Sequence, residues 1–482
     1  MSDRSIGRSR TPTAHRGAAA AALAAVLVLS LGTATPSLAA ASPRIRLSKG
    51  VGPPTTRITV QGQAFGPVEV VDLSFDSSPR GKATTDPSGA FSSPLRVPAS
   101  ALPGEHTVSA TGESSGLSAS TPFTVRTDWP MFKFSPDHTA LNPYENVLST
   151  QNVSGLQVAW TLSAPRSVES SAAVAGGRVY VGAQDSLYAA DAATGARLWR
   201  WTDPLTQQVS SPAVGHGRVY FGTDRGSVYA LDAATGTQEW TYATGDSVTA
   251  PALAGGVVYV GSLTGSVYAL DAVTGHKQWS TFVGSPVFGG PAVAGGMVYV
   301  GSWLAGRFYA LDGATGAILW SADTGDYIES SPAVLNGLVY VGSDDNNLYA
   351  FPSAGCGQDT CLPAWTFATG SWVESSPAVA YGMVYIGSDD HNVYALDAAT
   401  GALEWTVPTG DAISLNSPAV ANGVVYIGSN DHVLRAIDAR SGEILWTYTM
   451  GNLVGGAAAV ADGWVYVGSF DHNLYAFHLP EW

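Results

Sequence analysis

One short pattern returns eight times along this chain and limits its fold more than any other feature. The string V-Y-x-G begins at Val179, Val219, Val258, Val298, Val339, Val384, Val425 and Val465, at intervals of 40, 39, 40, 41, 45, 41 and 40 residues. A second marker, the tryptophan that ends each copy, stands at Trp160, Trp199, Trp240, Trp279, Trp320, Trp365, Trp405 and Trp446. Units of about forty residues that repeat in this way belong to solenoids or propellers. The copies have no 3.6-residue period, which excludes a helical solenoid.

Each copy reads as four short strands. "SPAVANGVVYIGS" (417–429) is two β-rich runs joined by Asn422-Gly423, a dipeptide suited to a two-residue hairpin. "VYALDAATG" (393–401) is a third strand running into an Asp and Gly turn, and the run around Trp405 is the fourth. Four strands per unit make a propeller blade. The first tryptophan strand, "LQVAWTL" (156–162), precedes every V-Y-x-G, and the last unit stops before its own. The early strand is therefore expected to complete the last blade and close the ring, which removes free strand edges. The predicted fold is all-β: an eight-bladed propeller of four-stranded blades over 156–480, after a lead-in segment at 128–155. Residues 44–126 alternate apolar and polar between Pro, Gly and Ser clusters, the pattern of a small antiparallel sandwich.

Composition narrows the setting. Residues 1–41 combine four arginines, an apolar run at 17–32 and small residues near Ala39, which reads as a secretory signal peptide, the competing reading being a retained membrane anchor. No cysteine follows that apolar run to accept a lipid. The mature chain is expected to be secreted or cell-surface, without membrane insertion. The net charge is −15, and −18 once those four arginines and one aspartate are gone. Such acidity opposes binding to nucleic acid or to anionic membranes. The two cysteines, Cys356 and Cys361, lie close together where the repeat is longest and are expected to form a local disulfide. Their insertion replaces the usual D-A-x-T-G turn, so that corner is expected to lack its Asp and Gly.

The phrase A-x-D-A-x-T-G-x-x-x-W resembles the pyrroloquinoline-quinone (PQQ) type propeller repeat over residues 128–478. The lead-in "DWPMFKFSPDHTALNPYENVLSTQNVSGLQVAWTL" (128–162) is similar to the start of quinoprotein alcohol dehydrogenases. It is similar too to that of the non-catalytic propeller lipoprotein of bacterial barrel assembly. Residues 44–126 resemble bacterial Ig-like surface modules. These resemblances imply either a scaffold or an enzyme.

The recurring Asp, Thr, Gly and Trp serve every blade alike, so a site must lie where copies differ. Three copies carry V/I-E-S-S before the innermost strand, with Glu169, Glu329 and Glu374 expected at one mouth of the central channel. They read either as a cation or ligand site or as a solvated acidic rim repeated by duplication. The resemblance to quinoprotein dehydrogenases places a Glu near the cofactor at the position of Glu169. Asp390-His391, Asp431-His432 and Asp471-His472 share a hairpin in three blades. They read as turn residues rather than metal ligands, because hairpin tips of neighbouring blades lie too far apart for bonds of about 2.1 Å to one zinc. The adjacent cysteines, long insertions and C-x-x-C-H haem motif that quinoprotein resemblance calls for are absent from the sequence. The expected function is a monomeric, non-catalytic binding scaffold for a protein or cell-envelope polymer that requires no cofactor. The alternative is a PQQ- and Ca²⁺-dependent dehydrogenase acting on alcohols or a hydroxylated polymer.

Overall fold

The computed structural model describes residues 41–414 and 416–480. The chain divides into Met1–Ser42 and Pro43–Trp482, and all that follows concerns the second unit. The signal-peptide reading of residues 1–41 falls, apart from residue 41, outside the described residues. Among the described residues no helix is long and apolar enough to cross a membrane.

The N-terminal region is two sheets on one core. Arg44–Leu47, Arg57–Gln63 and Phe91–Arg96 form the first. Val51–Gly52, Ser118–Val125, Gly104–Gly112, Val70–Phe75 and Ser78–Thr84 form the second. The period-two alternation sends Ile58, Val60, Val71, Leu73, Val108 and Phe123 into the shared interior.

Eight further sheets follow among the described residues, each with four antiparallel strands, and in one of them Leu141–Asn142 adds a fifth strand, parallel to Ala419–Ala421. Their innermost strands, defining blades 1 to 8, are Ala173–Ala175, Ala213–Gly215, Ala252–Ala254, Ala292–Ala294, Ala333–Leu335, Ala378–Ala380, Ala419–Ala421 and Ala459–Ala461. Each touches the next, and the last touches the first, so the sheets form a ring. Gln157–Ser163 pairs with Asn473–His478 as the outer strand of blade 8, and the ring closes as its sequence order requires.

The repeated phrase has a local cause. Asp397 Oδ1 accepts the N–H groups of Ala399 and Thr400, at 3.1 and 2.8 Å, and the Thr400 hydroxyl at 2.7 Å. Gly401 then turns with φ +73°, and a Cβ there would stand 2.6 Å from the Trp365 ring of the preceding blade. The Trp365 indole N–H donates to Ala398 O at 3.2 Å. Aspartate satisfies the turn, glycine makes room, and tryptophan ties one blade to the next.

The cysteine insertion departs from expectation. Cys356 and Cys361 are disulfide-bonded, with Cα atoms 5.7 Å apart. The corner nevertheless keeps its glycine: Gly355, at φ +79°, lies beneath Trp320, and Ser353 O accepts the Trp320 indole at 3.3 Å. Only the aspartate is missing, with Pro352 in its place at the end of the strand. The loop also folds outward onto blade 4, where Ser321 O accepts Cys361 N–H at 2.7 Å and Ser321 N–H donates to Asp359 O at 2.8 Å.

The lead-in threads the inside of the ring. Trp129 exchanges two backbone bonds with Val174 of blade 1, at 2.8 and 2.7 Å. The carbonyls of Pro130, Pro136, Asp137, Thr139 and Ala140 then accept the N–H groups of Val214, Val293, Val334, Val379 and Val420 in blades 2, 4, 5, 6 and 7. Asn142 Nδ2 donates to Val460 O of blade 8 at 2.8 Å. One segment thus occupies innermost edges that would otherwise be unpaired. It also places Lys133, only 1% exposed, with Nζ 2.7 Å from Ser376 O.

Candidate functional site

Antiparallel strands put two loop sets on the same face of each blade: the loop before the innermost strand and the hairpin between the second and third strands. A backbone bond joins them in every blade, for example Trp303 N–H to Pro286 O at 2.7 Å, Asp344 to Tyr327 at 2.9 Å and Asp389 to Trp372 at 3.0 Å. The donor position varies strongly among the copies. It reads Gln184, Asp224, Leu263, Trp303, Asp344, Asp389, Asn430 and Phe470 from blade 1 to blade 8.

In blades 5 and 6 this geometry gathers Glu329, Asp344, Glu374 and Asp389. Burial raises the Glu374 carboxyl to about 8, helped by the charges of Asp389, Glu329 and Asp344. Burial likewise raises Asp344 to about 7, with Glu329 and Asp326 its strongest charged neighbours. Burial also raises Asp389 and Glu329, although the nearby His391 opposes the rise in the former and the Trp303 indole, 2.8 Å from Glu329 Oε1, opposes it in the latter. Asp344 is only 8% exposed, and Oδ1 of Asp344 and of Asp389 is buried without a hydrogen-bond partner. Among the described residues no Lys, Arg or His forms an ion pair with any of the four.

Aromatic rings flank these carboxylates. Phe288, Trp303 and Tyr327 form an arc with successive ring centroids 5.9 Å apart. Phe288 and Trp372 are about half exposed, at 49% and 50%. The face therefore presents half-buried carboxyl groups without an ion-pair partner beside open π surfaces. Among the described residues no three His, Cys, Asp or Glu side chains are placed to hold a metal ion.

The structure separates the three sequence-predicted glutamates. Glu329 and Glu374 lie within electrostatic reach of each other, whereas Glu169, in blade 1, accepts Gln184 Nε2 at 3.1 Å. Glu169 instead borders a hollow shared with Gln208, Asp224 and Phe288. Sequence reasoning missed Trp303, Asp344, Asp389 and Trp372. The available signal was variation directly after V-Y-x-G-S, one residue before the Asp-His pairs. Those pairs serve the turns: His391, His432 and His472 have φ of 68°, 69° and 75°, and Asp390 Oδ2 accepts Gly370 N–H and the Tyr394 hydroxyl, both at 2.6 Å.

A ring of radially repeated four-stranded sheets, closed by a strand from the other end of the chain, is a β-propeller. The chain belongs to the family described as "Outer membrane protein assembly factor BamB", which matches residues 144–245, 185–288, 265–359 and 354–479. No curated protein matches the chain. Among solved structures, BamB from Moraxella catarrhalis is similar with TM-score 0.57 and 18% identity, covering 67% of this chain and 99% of that one. Quinohemoprotein alcohol dehydrogenase from Comamonas testosteroni is similar with TM-score 0.61 and 17% identity, covering 73% and 80%. The computationally designed Ika8 protein gives 0.58 and 20%, covering 66% and 97%. At these identities the likeness extends to the fold alone.

Proposed function

We propose that this chain is a non-catalytic binding scaffold of the cell envelope or exterior, holding a protein or polymer on the loop face of blades 4 to 6. One observation carries the reading. Four carboxyl groups that make no ion pair among the described residues adjoin exposed aromatic rings at positions that vary between otherwise uniform blades. Binding a ligand there offsets a cost that the free protein bears. The family description, an assembly factor for outer membrane proteins, agrees with a scaffold role.

The dehydrogenase reading fits the mouth poorly. PQQ is itself a tricarboxylate, and Glu329, Asp344, Glu374 and Asp389 offer it no cationic partner. Of the three glutamates, Glu169 is held by Gln184 away from the other two. The test is affinity capture from the native envelope with the wild-type protein and with a Glu374→Gln/Asp389→Asn variant. Enrichment of a partner or polymer by the first and not the second is expected. Dye-linked alcohol oxidation that depends on added PQQ and Ca²⁺ would overturn the reading.

A further inference from the structure

We infer that this face takes a basic peptide segment, with an arginine or lysine side chain entering among Glu329, Asp344, Glu374 and Asp389. The inference rests on the scaffold reading and names the chemistry of its ligand. Three observations narrow that chemistry. The carboxyl groups hold raised pKa values because burial and mutual repulsion outweigh the opposing His391 and Trp303, so the ligand that relieves them most carries positive charge. Asp344 is 8% exposed, with a buried carboxylate oxygen that the chain itself leaves without a partner. No trio of acids is placed to grip one metal ion among the described residues, so a compact inorganic cation is poorly matched. A guanidinium instead spreads its five donors over several acceptors and stacks on aromatic faces. The arc of Phe288, Trp303 and Tyr327 supplies such faces beside Glu329, and Trp303 already bonds that carboxylate. A neutral glycan could stack on the same rings but would leave the acids uncompensated.

The test uses fluorescence anisotropy on the full chain with a labelled peptide of alternating Arg and Gly. Its companions are the same peptide with citrulline replacing arginine, and labelled cellohexaose. The arginine peptide should bind at least about tenfold more tightly than the citrulline one, the scale of charge-assisted hydrogen bonds. Glu374→Gln/Asp389→Asn should weaken it by at least a similar factor of about ten. Glu404→Gln/Glu443→Gln, which removes as many carboxylates from exposed positions in and just before outer strands, should leave it unchanged. Equal binding of the two peptides, or equal loss in both double variants, would overturn the inference. Binding of cellohexaose alone, abolished by Trp303→Ala, would also overturn it while leaving the scaffold reading intact. If no probe binds and envelope capture is identical for wild type and the face variant, both fall.

Discussion

Trp446 donates its indole N–H to the carbonyl of Leu156 at 3.1 Å, across 290 residues of sequence. In the other seven blades the tryptophan donates instead to a turn carbonyl of the next blade, as Trp405 does to Ala439 at 3.1 Å. The last blade has no such turn, because its outer strand comes from the other end of the chain. Leu156, immediately before that strand, supplies the carbonyl in its place. The splice is therefore made twice, by strand pairing and by this indole bond.

The replacement is incomplete. Tyr385 donates its hydroxyl to Ala439 O at 3.0 Å, whereas the equivalent hydroxyl of Tyr426 is buried with no partner. Tyr385→Phe should cost about 0.5–1.5 kcal/mol, and Tyr426→Phe should be neutral or stabilising, since it removes an unsatisfied buried group. Denaturant titration of both variants measures this, and equal losses would refute the account.

The disulfide should matter little to the ring. It closes a short loop, so removing it should cost about 2 kcal/mol by chain entropy. The docking of Cys361 and Asp359 on Ser321 remains after reduction. Cys356→Ser/Cys361→Ser should melt a few degrees lower in calorimetry and keep its binding to the opposite face.

Glu374 should make stability depend on pH. Its folded carboxyl titrates near 8, above its ordinary 4.5, so the folded state keeps a proton that the unfolded chain has lost. Its contribution to stability therefore falls as pH rises from about 4.5 to about 8 and stays low above that. Glu374→Gln should melt like wild type at pH 5 and a few degrees higher at pH 8.5. A gap that does not widen with pH would contradict the assigned environment.

Lys133 carries a cost of the opposite sign. Burial lowers its amine well below 10.5, and no acid among the described residues pairs with it; its hydrogen bond goes to Ser376 O. The unfolded chain holds the proton that the folded one gives up, so the penalty is largest at low pH and fades as pH approaches 10.5. Lys133→Met should stabilise the protein at pH 7 by about 1–3 kcal/mol. That gain should shrink in melts at pH 10.

The sequence alone determined the repeating unit, because each blade needs the same local devices: the Asp397 turn, the Gly401 gap and the Trp365 wedge act within a few residues or between adjacent copies. The order of markers likewise determined that Gln157–Ser163 closes the ring. Only the tertiary structure decided which acids meet. Glu169 shares its motif with Glu329 and Glu374, yet blade position separates it from them, and Asp389, rather than the turn-bound Asp390, comes within electrostatic reach of Glu374. Position around a ring is set by the packing of all its blades, and a linear motif carries no record of it. The thread from Trp129 to Asn142 was illegible for a different reason: apart from the Lys133, His138 and Asn142 side chains, its hydrogen bonds to the blades are made by the backbone, which any residue can offer and which leaves no mark in the sequence.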